Sequence, residues 1–502
     1  MPARTGKQFI EALNSSRRDV QIHGERVTER VGEHAAFRGL VESYAHLYDM
    51  QHDPELRDVL TYPSPTTGDP VGVSFLQPQT REDLARRREM MKCWSDWSLG
   101  TLGRTGDYLN SAVMAMAAAG DWFGQKDARF GDNVRNYYEY VRENDLLLTH
   151  TLINPQANRS TSAAGQTDPY LAARIVRETD NGIIIRGARM LATIGPIADE
   201  ILVFPSTVLR DSSDDEPYAN AFAIPCDTPG MRFLCRESFD YGRGHFDHPL
   251  ASRFEEIDAV VIFDDVEVPW ERCFMVRSPE LLHGGRLYHE TGAMVHMTHQ
   301  VVTRTTAKTE ALLGLVAKMV DAISIGEFQH VQEKLAEVIM ALEILRGLTR
   351  AAEADAEIDR WGLMSPAWAP LNTARNWYPR TYPELREIVW KLGASGIFGV
   401  PTEADVTGTA RDDVERYLQC ASLGGIERVR LFRLAWDWAL SAFAGRQEAY
   451  EYFFFGDPVR MSGAYVRSHD LAPYSARIEQ FLHRDAAGAD PESENSGTVA
   501  TT

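Results

Sequence analysis

The feature that most constrains the fold is a change in hydrophobic spacing along the chain, from helical to β-type and back to helical. After about residue 295, apolar residues recur every three or four positions, which is the spacing of a buried helical stripe. They are Leu312, Leu315, Val316, Met319 and Ile323, followed by Val331, Leu335, Val338, Ile339, Leu342 and Leu345. Several long helices with broad apolar faces predict a carboxy-terminal bundle with apolar surface available for self-association.

Between about residues 148 and 280, the apolar residues instead form short β-type runs. Residues 174–191 contain two such runs around Asn181-Gly182, a dipeptide that favours tight hairpins because it tolerates positive φ angles. Similar runs follow at short intervals towards Trp270. We therefore predict a compact β-domain in the middle of the chain.

These changes divide the 502-residue chain into three predicted domains. Residues 1–147 are mostly helical, residues 148–280 form the β-domain, and residues 281–483 form the helical bundle. Several domains are expected because the chain exceeds the roughly 250–300 residues at which one core stops growing. Residues 484–502 contain one valine and no aromatic residue, which predicts a disordered acidic tail.

The charge balance excludes some classes of partner. The chain has 52 Lys and Arg against 72 Asp and Glu, a formal charge of −20, whereas nucleic-acid binding relies on clustered cations. The sequence has no long uninterrupted apolar stretch, and its first residues carry charges where a signal peptide needs an apolar run. We therefore expect a soluble, cytoplasmic protein with no nucleic-acid or membrane partner.

Common cofactor and metal motifs are missing from the sequence. It contains neither a GxxxxGK[ST] loop nor an HExxH helix, and its glycine cluster GASGIFG is spaced wrongly for a dinucleotide-binding turn. The histidine pairs in GHFDHP and HMTH lack an obvious third ligand, and the five cysteines are far apart with no CxxC pair. We predict no metal site and reduced cysteine thiols.

Two short segments carry side chains suited to binding a polar group. In LGRTGDYLN, Arg104 and Tyr108 are four residues apart, so on a helix both side chains would leave the same face. Spacing alone favours a plainer arrangement, a surface cation beside a half-buried tyrosine. In LLLTHTLINPQANR, His150 lies in an apolar run at a predicted domain junction, where ligand sites are common. The alternative for His150 is a core imidazole whose hydrogen bonds are satisfied within the protein.

Five segments, taken together, carry a resemblance to a known family. They are LGRTGDYLN, THTLINPQANR, TDNGIIIRGARMLAT, HPLASRFEEIDAVVIFDDVEVPWERCF and GRQEAYEYFFFGDPVR, in this order. In order and spacing they resemble the large oxygenase components of the 4-hydroxyphenylacetate 3-monooxygenases. The resemblance covers about residues 4–483 and leaves out only the acidic tail.

The resemblance implies a mostly helical α+β architecture of the acyl-CoA-dehydrogenase type. This fold has an amino-terminal helical domain, a central β-barrel and a carboxy-terminal helical bundle, and it is usually assembled as a homotetramer. The resemblance also implies a two-component monooxygenase that uses reduced FAD supplied by a separate NADH-dependent flavin reductase. The missing dinucleotide fingerprint agrees with this division of labour.

Position by position, the resemblance also implies roles for individual residues. Arg104, Tyr108 and His150 fall where the family contacts the phenolic oxygen of its substrate, and they are the expected catalytic residues; His150 is also expected near the flavin. Ser206 and Thr207 match the residues that hold the substrate carboxylate. The expected flavin contacts are Gln156, Ala157, Asn158, Arg159, Thr193, Asp457, Pro458, Val459 and Arg460. Residues 206–218 resemble the family's mobile substrate loop, which selects the phenol.

The expected reaction inserts one oxygen atom from O₂ ortho to the hydroxyl of a para-substituted phenol such as 4-hydroxyphenylacetate, giving a catechol. A biosynthetic hydroxylase acting on a tyrosine-derived or carrier-tethered phenol is an open alternative. An acyl-CoA dehydrogenase would need a carboxylate base and tightly held oxidised FAD, and the set of Arg104, Tyr108 and His150 disfavours it. A non-catalytic scaffold is disfavoured for the same reason.

Overall fold

The computed structural model describes residues 3–155, 157–240 and 242–484 of the chain. It divides into two compact units, Met1–Tyr452 and Phe453–Thr502. The predicted tail, apart from Arg484, lies outside the described residues. No helix within the described ranges is both long and apolar enough to cross a membrane.

Helices dominate the amino-terminal part of the first unit. They are α1 Gly6–Ser15, α2 Arg38–Met50, α3 Arg57–Leu60, α4 Arg81–Trp97, α5 Gly106–Ala118, α6 Gly120–Phe123 and α7 Ala128–Asn144. The start of α4 is fixed by a capping box, in which the Thr80 hydroxyl and the Asp83 carboxylate each accept a backbone N–H of the other residue. Helix α5 is buried along nearly its whole length, which suits its run of alanine and methionine residues.

Strands occupy mainly the middle of the chain. They are β1 Val20–Ile22, β2 Glu25–Val27, β3 Thr61–Pro63, β4 Pro70–Gly72, β5 Leu148–Thr151, β6 Arg174–Glu178, β7 Gly182–Thr193, β8 Glu200–Val203, β9 Ala221–Pro225, β10 Met231–Cys235, β11 Asp258–Pro269, β12 Cys273–Met275, β13 Glu357–Ile358 and β14 Met364–Ser365. Strands β6 and β7 pair in antiparallel fashion across Asn181-Gly182, as the sequence predicts.

Two larger sheets make up the β-region, and the pairs β3–β4 and β13–β14 are separate from them. One has six strands in the order β2-β1-β10-β11-β7-β6, and the other has four in the order β12-β9-β8-β5. The sheets meet where β5 lies beside β7: the Thr149 hydroxyl donates to the Thr193 carbonyl at 2.6 Å, and the Thr151 hydroxyl donates to the Met190 carbonyl at 2.8 Å. This junction brings the strand that carries His150 next to the end of β7.

The rest of the first unit is mainly helical. Its helices are α8 Ala251–Phe254, α9 Pro279–Leu282, α10 Arg286–Glu290, α11 Ala293–Ala322, α12 Gln329–Ala354, α13 Trp368–Gly393, α14 Glu403–Thr407, α15 Arg411–Tyr417, α16 Gly425–Ala439 and α17 Ala442–Phe453. The predicted stripe on α12 is mostly buried, at Val331, Val338, Leu342 and Leu345, whereas Ile339 is 46% exposed. Helix α16 ends at Ala439 and α17 begins at Ala442, so a short break separates the two.

The second unit contains two further helices, α18 Pro458–Arg467 and α19 Ala472–Leu482. The Asp457 carboxylate caps α18 by accepting the backbone N–H groups of Val459 and Arg460, at 2.7 and 3.1 Å. Pro458 occupies the first turn of α18, where its missing N–H costs no hydrogen bond.

Candidate active site

Arg104 and Tyr108 meet, although not in the way their spacing suggests. Helix α5 begins at Gly106 with Thr105 as its N-cap, so Arg104 precedes the helix and the two residues do not share a helical face. The alternative of a half-buried tyrosine is also wrong, because Tyr108 is 4% exposed. The guanidinium carbon of Arg104 lies 4.5 Å from the centre of the Tyr108 ring, a cation–π contact.

His150 completes a cluster with these two residues. It lies on β5, which pairs in parallel with β8 so that His150 is opposite Leu202. The ring centres of Tyr108 and His150 are 6.0 Å apart, and the His150 side chain is buried. A guanidinium, a phenol and an imidazole from separate segments therefore converge on one buried site.

The charge states of the cluster follow from its surroundings. The pKa of His150 is held well below its usual value, first by burial and then by the Arg104 cation. The pKa of Arg104 is raised, since the burial that would lower it is outweighed by Tyr450, Tyr108 and Glu256. Near neutral pH the cluster therefore combines a fixed cation with a neutral imidazole, whose unprotonated ring nitrogen can accept a hydrogen bond.

Tyr288 is a member of this site that the sequence does not reveal. It lies on α10, is 4% exposed, and its hydroxyl has no hydrogen-bond partner among the described residues. Burial raises its pKa and Tyr108 raises it further, whereas Arg104 and Arg189 act to lower it. No motif or spacing marks Tyr288, because α10 reaches the cluster only through the folding of the chain.

The predicted carboxylate-binding residues lie just after Phe204, whose ring packs against Tyr288. The ring of Phe204 packs edge-on against Tyr288 with ring centres 5.8 Å apart, and Ser206 and Thr207 follow directly after Pro205. Ser206 is buried and Thr207 half-buried. The segment ends in a 3₁₀ helix, Ser213–Tyr218, and the Tyr218 hydroxyl donates to the Pro169 carbonyl at 2.8 Å. The structure thus ties both ends of this segment to the β-region.

Thr193, a predicted flavin contact, is the last residue of β7, and its hydroxyl donates to Asp258 Oδ1 at 2.7 Å. Burial alone would raise the pKa of Asp258, but the guanidinium groups of Arg446 and Arg236 hold that pKa well below its usual range. Asp258 is therefore ionised and cannot donate. Because the single hydroxyl hydrogen of Thr193 is used in this bond, Thr193 can only accept a hydrogen bond from a ligand.

The structure describes the remaining predicted flavin contacts only in part. Gln156 lies outside the described residues, while Ala157, Asn158 and Arg159 are exposed in the loop that follows β5. Asn158 Oδ1 accepts the backbone N–H and the hydroxyl of Ser160, at 3.0 and 2.7 Å. Asp457, Pro458, Val459 and Arg460 belong to the second unit, where they form the start of α18.

Two further features fit the flat, apolar ring and polar edge of a flavin. Leu191 has a left-handed backbone at φ 63° and exposes 51% of its surface, which offers apolar area at the end of β7. Asn154, just before the predicted flavin-contact loop, has a buried Oδ1 without a hydrogen-bond partner among the described residues. A buried amide oxygen of this kind requires a donor, and the N–H groups at the edge of a flavin are such donors.

Comparison with known proteins identifies the class to which this fold and site belong. Residues 5–275 match the family model of the 4-hydroxyphenylacetate 3-hydroxylase N terminal region, and residues 285–483 match that of the C terminal region. Together these models span most of the chain. The chain therefore belongs to the 4-hydroxyphenylacetate 3-hydroxylase family.

Individual relatives are similar over nearly their full lengths. The chain is 52% identical over 483 residues to the 4-hydroxyphenylacetate 3-monooxygenase oxygenase component of Geobacillus sp., covering 96% of this chain and 97% of the relative. It is 50% identical over 480 residues to the protein of the same name from Thermus thermophilus, covering 96% and 97%. A crystal structure of such an oxygenase component, complexed with FAD and 4-hydroxyphenylacetate, superposes with a TM-score of 0.92 at 49% identity, covering 97% of this chain and all of that one. The predicted fold class, mostly helical α+β of the acyl-CoA-dehydrogenase type, is confirmed.

Proposed function

We propose that this protein hydroxylates a para-substituted phenol such as 4-hydroxyphenylacetate, inserting one oxygen atom from O₂ ortho to the hydroxyl and giving a catechol. The observation that carries the proposal is the meeting of Arg104, Tyr108 and His150 at one buried site. Membership of the 4-hydroxyphenylacetate 3-hydroxylase family supports the same reaction. The relatives' names and the ligands of the similar crystal structure agree with this substrate.

The three residues act on the phenolic oxygen. Arg104 and Tyr108 donate hydrogen bonds to it and stabilise the negative charge that develops there. His150, kept neutral by burial and by Arg104, shares the phenolic proton through a hydrogen bond to a ring nitrogen. Moving that proton away increases the electron density of the ortho carbon, which is where oxygen is to be added.

The rest of the site holds and shields the reactants. Ser206 and Thr207 bind the substrate carboxylate at the opposite end from the phenol, and residues 206–218 select the substituent. Tyr108 and Tyr288 are each 4% exposed, so the phenol end excludes water, which would otherwise divert activated oxygen into hydrogen peroxide.

FAD is the proposed cofactor, used in its reduced form. When bound, reduced FAD would supply the two electrons that activate O₂, one atom of which is transferred to the ring. Thr193 and residues 156–159 would hold the flavin, and His150 would contact both the flavin and the phenol. On the family resemblance alone, Asp457, Pro458, Val459 and Arg460 are proposed as further flavin contacts.

We also infer a separate partner. The relatives are named oxygenase components, and a name of that form implies a second component. We propose that this component is an NADH-dependent flavin reductase that supplies reduced FAD. We further propose a homotetramer, since the carboxy-terminal helices leave apolar side chains such as Ile339 and Met340 exposed in the single chain. The proposed location is the cytoplasm.

The direct test uses the purified protein mixed anaerobically with chemically reduced FAD. Oxygen is then added with 4-hydroxyphenylacetate, with free tyrosine or with no phenol, and the catechol and hydrogen peroxide formed are measured. We expect 3,4-dihydroxyphenylacetate at close to one equivalent per reduced FAD. Preference for tyrosine would redirect the proposal to a biosynthetic substrate, and reduction of oxidised FAD by an acyl thioester without any catechol would overturn it.

A further inference from the structure

Glu256 lies two residues before β11. Its side-chain carboxylate contacts the backbone of the phenol-binding segment. Its Oε1 accepts the Arg104 N–H at 2.7 Å and the Gly103 N–H at 2.9 Å, and its Oε2 lies 2.9 Å from the same Gly103 nitrogen. Glu256 is fully buried, and no sequence motif connects it with a residue 152 positions earlier. Two adjacent N–H groups directed at one carboxylate fix the path of the backbone at the root of the Arg104 side chain.

Tyr450 holds the same backbone from another direction. A Cβ atom added to Gly103 would lie 2.1 Å from the Tyr450 hydroxyl oxygen and 2.4 Å from its ring, so only glycine permits this close approach. The Tyr450 ring also lies beside the Arg104 guanidinium, 5.5 Å from its carbon to the ring centre. The main chain and the side chain of Arg104 are therefore both packed against fixed neighbours.

Arg446 joins Glu256 to the proposed flavin side of the site. Its Nη1 lies 3.3 Å from Glu256 Oε2, and its Nη2 lies 2.9 Å from Asp258 Oδ1. That same Asp258 oxygen accepts the Thr193 hydroxyl. Arg446 thus links Glu256, which supports the proposed phenol contact, to Asp258, which supports the proposed flavin contact.

We infer that Glu256 is a positioning residue for hydroxylation, which holds Arg104 against the phenolic oxygen. Through Arg446 and Asp258, it also fixes the position of Arg104 relative to Thr193. The inference rests on the proposed function, because it assigns Arg104 to the phenol. Glu256 itself touches neither reactant. Its contribution is to the geometry of the site, because displacing a reacting group by about 1 Å can lower the rate about a hundredfold.

The first test is the variant Glu256→Gln, which keeps the side-chain shape but replaces one acceptor oxygen with an amide group. We expect catechol yield per reduced FAD to fall by about tenfold to a hundredfold, with hydrogen peroxide accounting for the lost equivalents and FAD affinity unchanged within about twofold. The matched control is Asp264→Asn, which removes an exposed carboxylate of β11 that pairs with Arg232 at 3.1 Å. This control is expected to retain the wild-type yield.

A double-mutant cycle separates positioning from a merely structural role. If Glu256 acts through Arg104, Glu256→Gln added to Arg104→Ala lowers the yield no further, whereas the decrease in Tm is the same in both backgrounds. An equal loss of yield in both backgrounds would overturn the inference. If Glu256→Gln does not fold, Glu256→Asp replaces it, because the shorter carboxylate keeps its charge for Arg446 but withdraws from the two N–H groups. A wild-type yield in Glu256→Asp would then overturn the inference.

Hydrogen exchange distinguishes failure of this inference from failure of the proposed function. In either Glu256 variant we expect at least tenfold faster exchange of the Gly103 and Arg104 amides, measured on the peptide that contains them. Unchanged exchange contradicts the positioning role, whatever the enzyme's activity. Absence of catechol from the wild-type protein, with exchange altered as expected in the variants, contradicts only the assigned reaction.

Discussion

The guanidinium carbon of Arg104 lies 4.5 Å above the ring of Tyr108, although the two residues do not share a helix. Arg104 is placed by the turn before α5, and Tyr108 by the first turn of α5 itself. The contact therefore depends on how that turn is held, which makes the backbone around Gly103 as important as the side chains.

Replacing Arg104 with alanine tests the proposed phenol contact. Loss of one preorganised donor typically lowers the rate by about a hundredfold to a thousandfold, so we expect Arg104→Ala to abolish most hydroxylation. The FAD affinity, measured by anaerobic titration, is expected to remain near the wild-type value. Arg232→Ala, which removes a partly exposed arginine paired with Asp264, is the control. An undiminished catechol yield in Arg104→Ala would show that the phenol binds elsewhere.

The low pKa of His150 predicts an unusual pH profile. An ordinary imidazole takes up its proton near pH 6.5, whereas burial and Arg104 keep folded His150 neutral to well below that pH. Catechol yield in a single turnover should therefore stay constant as pH falls from 8 through 6.5 and decrease only at lower pH. His150→Asn is expected to lower the yield at every pH. A wild-type inflection near pH 6.5 that is lost in this variant would contradict the neutral state.

The bond from Thr193 to Asp258 predicts a preference between flavin redox states. Since Thr193 can only accept from a ligand, it favours the reduced flavin, which has one more ring N–H than the oxidised form. In Asp258→Asn, the new amide group can donate to Thr193, which frees the hydroxyl hydrogen. We expect the ratio of Kd values for oxidised and reduced FAD to fall by roughly tenfold, about 1.4 kcal/mol, the scale of one hydrogen bond. Equal ratios in variant and wild type would refute this role.

Glu451 is expected to be a major contributor to stability. It accepts from Arg304 at 2.6 and 2.8 Å and from Lys308 at 2.8 Å, and all three side chains are buried. Glu451→Gln leaves two cations without their counter-ion, which should lower the free energy of unfolding by about 3–5 kcal/mol. Differential scanning calorimetry provides the measurement, and Glu343→Gln, at an exposed pair with Arg346, is the control.

Acid should have a related effect through the same carboxylate. Burial would raise the pKa of Glu451, but Arg304 and Lys308 lower it to about 2 in the folded protein. A carboxyl with a depressed folded pKa stabilises the fold fully above its unfolded pKa of about 4.5, and this stabilisation is lost as pH falls towards 2. The difference in Tm between wild type and Glu451→Gln should therefore shrink between pH 5 and pH 2. A difference that does not change over this range would contradict the ionised pair.

Close packing at Gly103 can be tested separately. The Cβ of Gly103→Ala would collide with Tyr450, whose ring is held between the Arg446 and Arg104 guanidinium groups. We expect a lower Tm and a lower catechol yield, because the backbone before α5 must shift. Gly445→Ala is the control, since its new Cβ meets open space on α17 and alanine favours the helix. The packing argument fails if both variants behave alike.

Local pattern predicts much of the fold and less of the site. The β6–β7 hairpin follows from Asn181-Gly182, and the buried face of α12 follows from its apolar spacing, because both depend on neighbouring residues. The positions of Arg104 and His150 in one site came from resemblance to a family, since their spacing alone favoured plainer roles. Their proposed roles remain predictions until the variants are measured.

The sequence does not reveal which residues surround Arg104 and hold it in place. Glu256 and Tyr288 come close to Arg104 only because β11 and α10 fold back onto the segment before α5. A glutamate two residues before a strand and a tyrosine in a short helix carry no local signal. Contacts between residues more than a hundred positions apart depend on the packing of whole elements, which composition and periodicity do not specify.

The two ends of the proposed substrate pocket are anchored on different parts of the molecule. Glu256 secures the phenol end, whereas the bond from Tyr218 to the Pro169 carbonyl secures the segment that begins at Ser206. An enzyme organised in this way can change which compound it accepts through a few loop substitutions while inheriting its oxygen-transfer chemistry intact. Such a scaffold lends itself to diversification, in nature or by design, towards the catechols of other aromatic compounds.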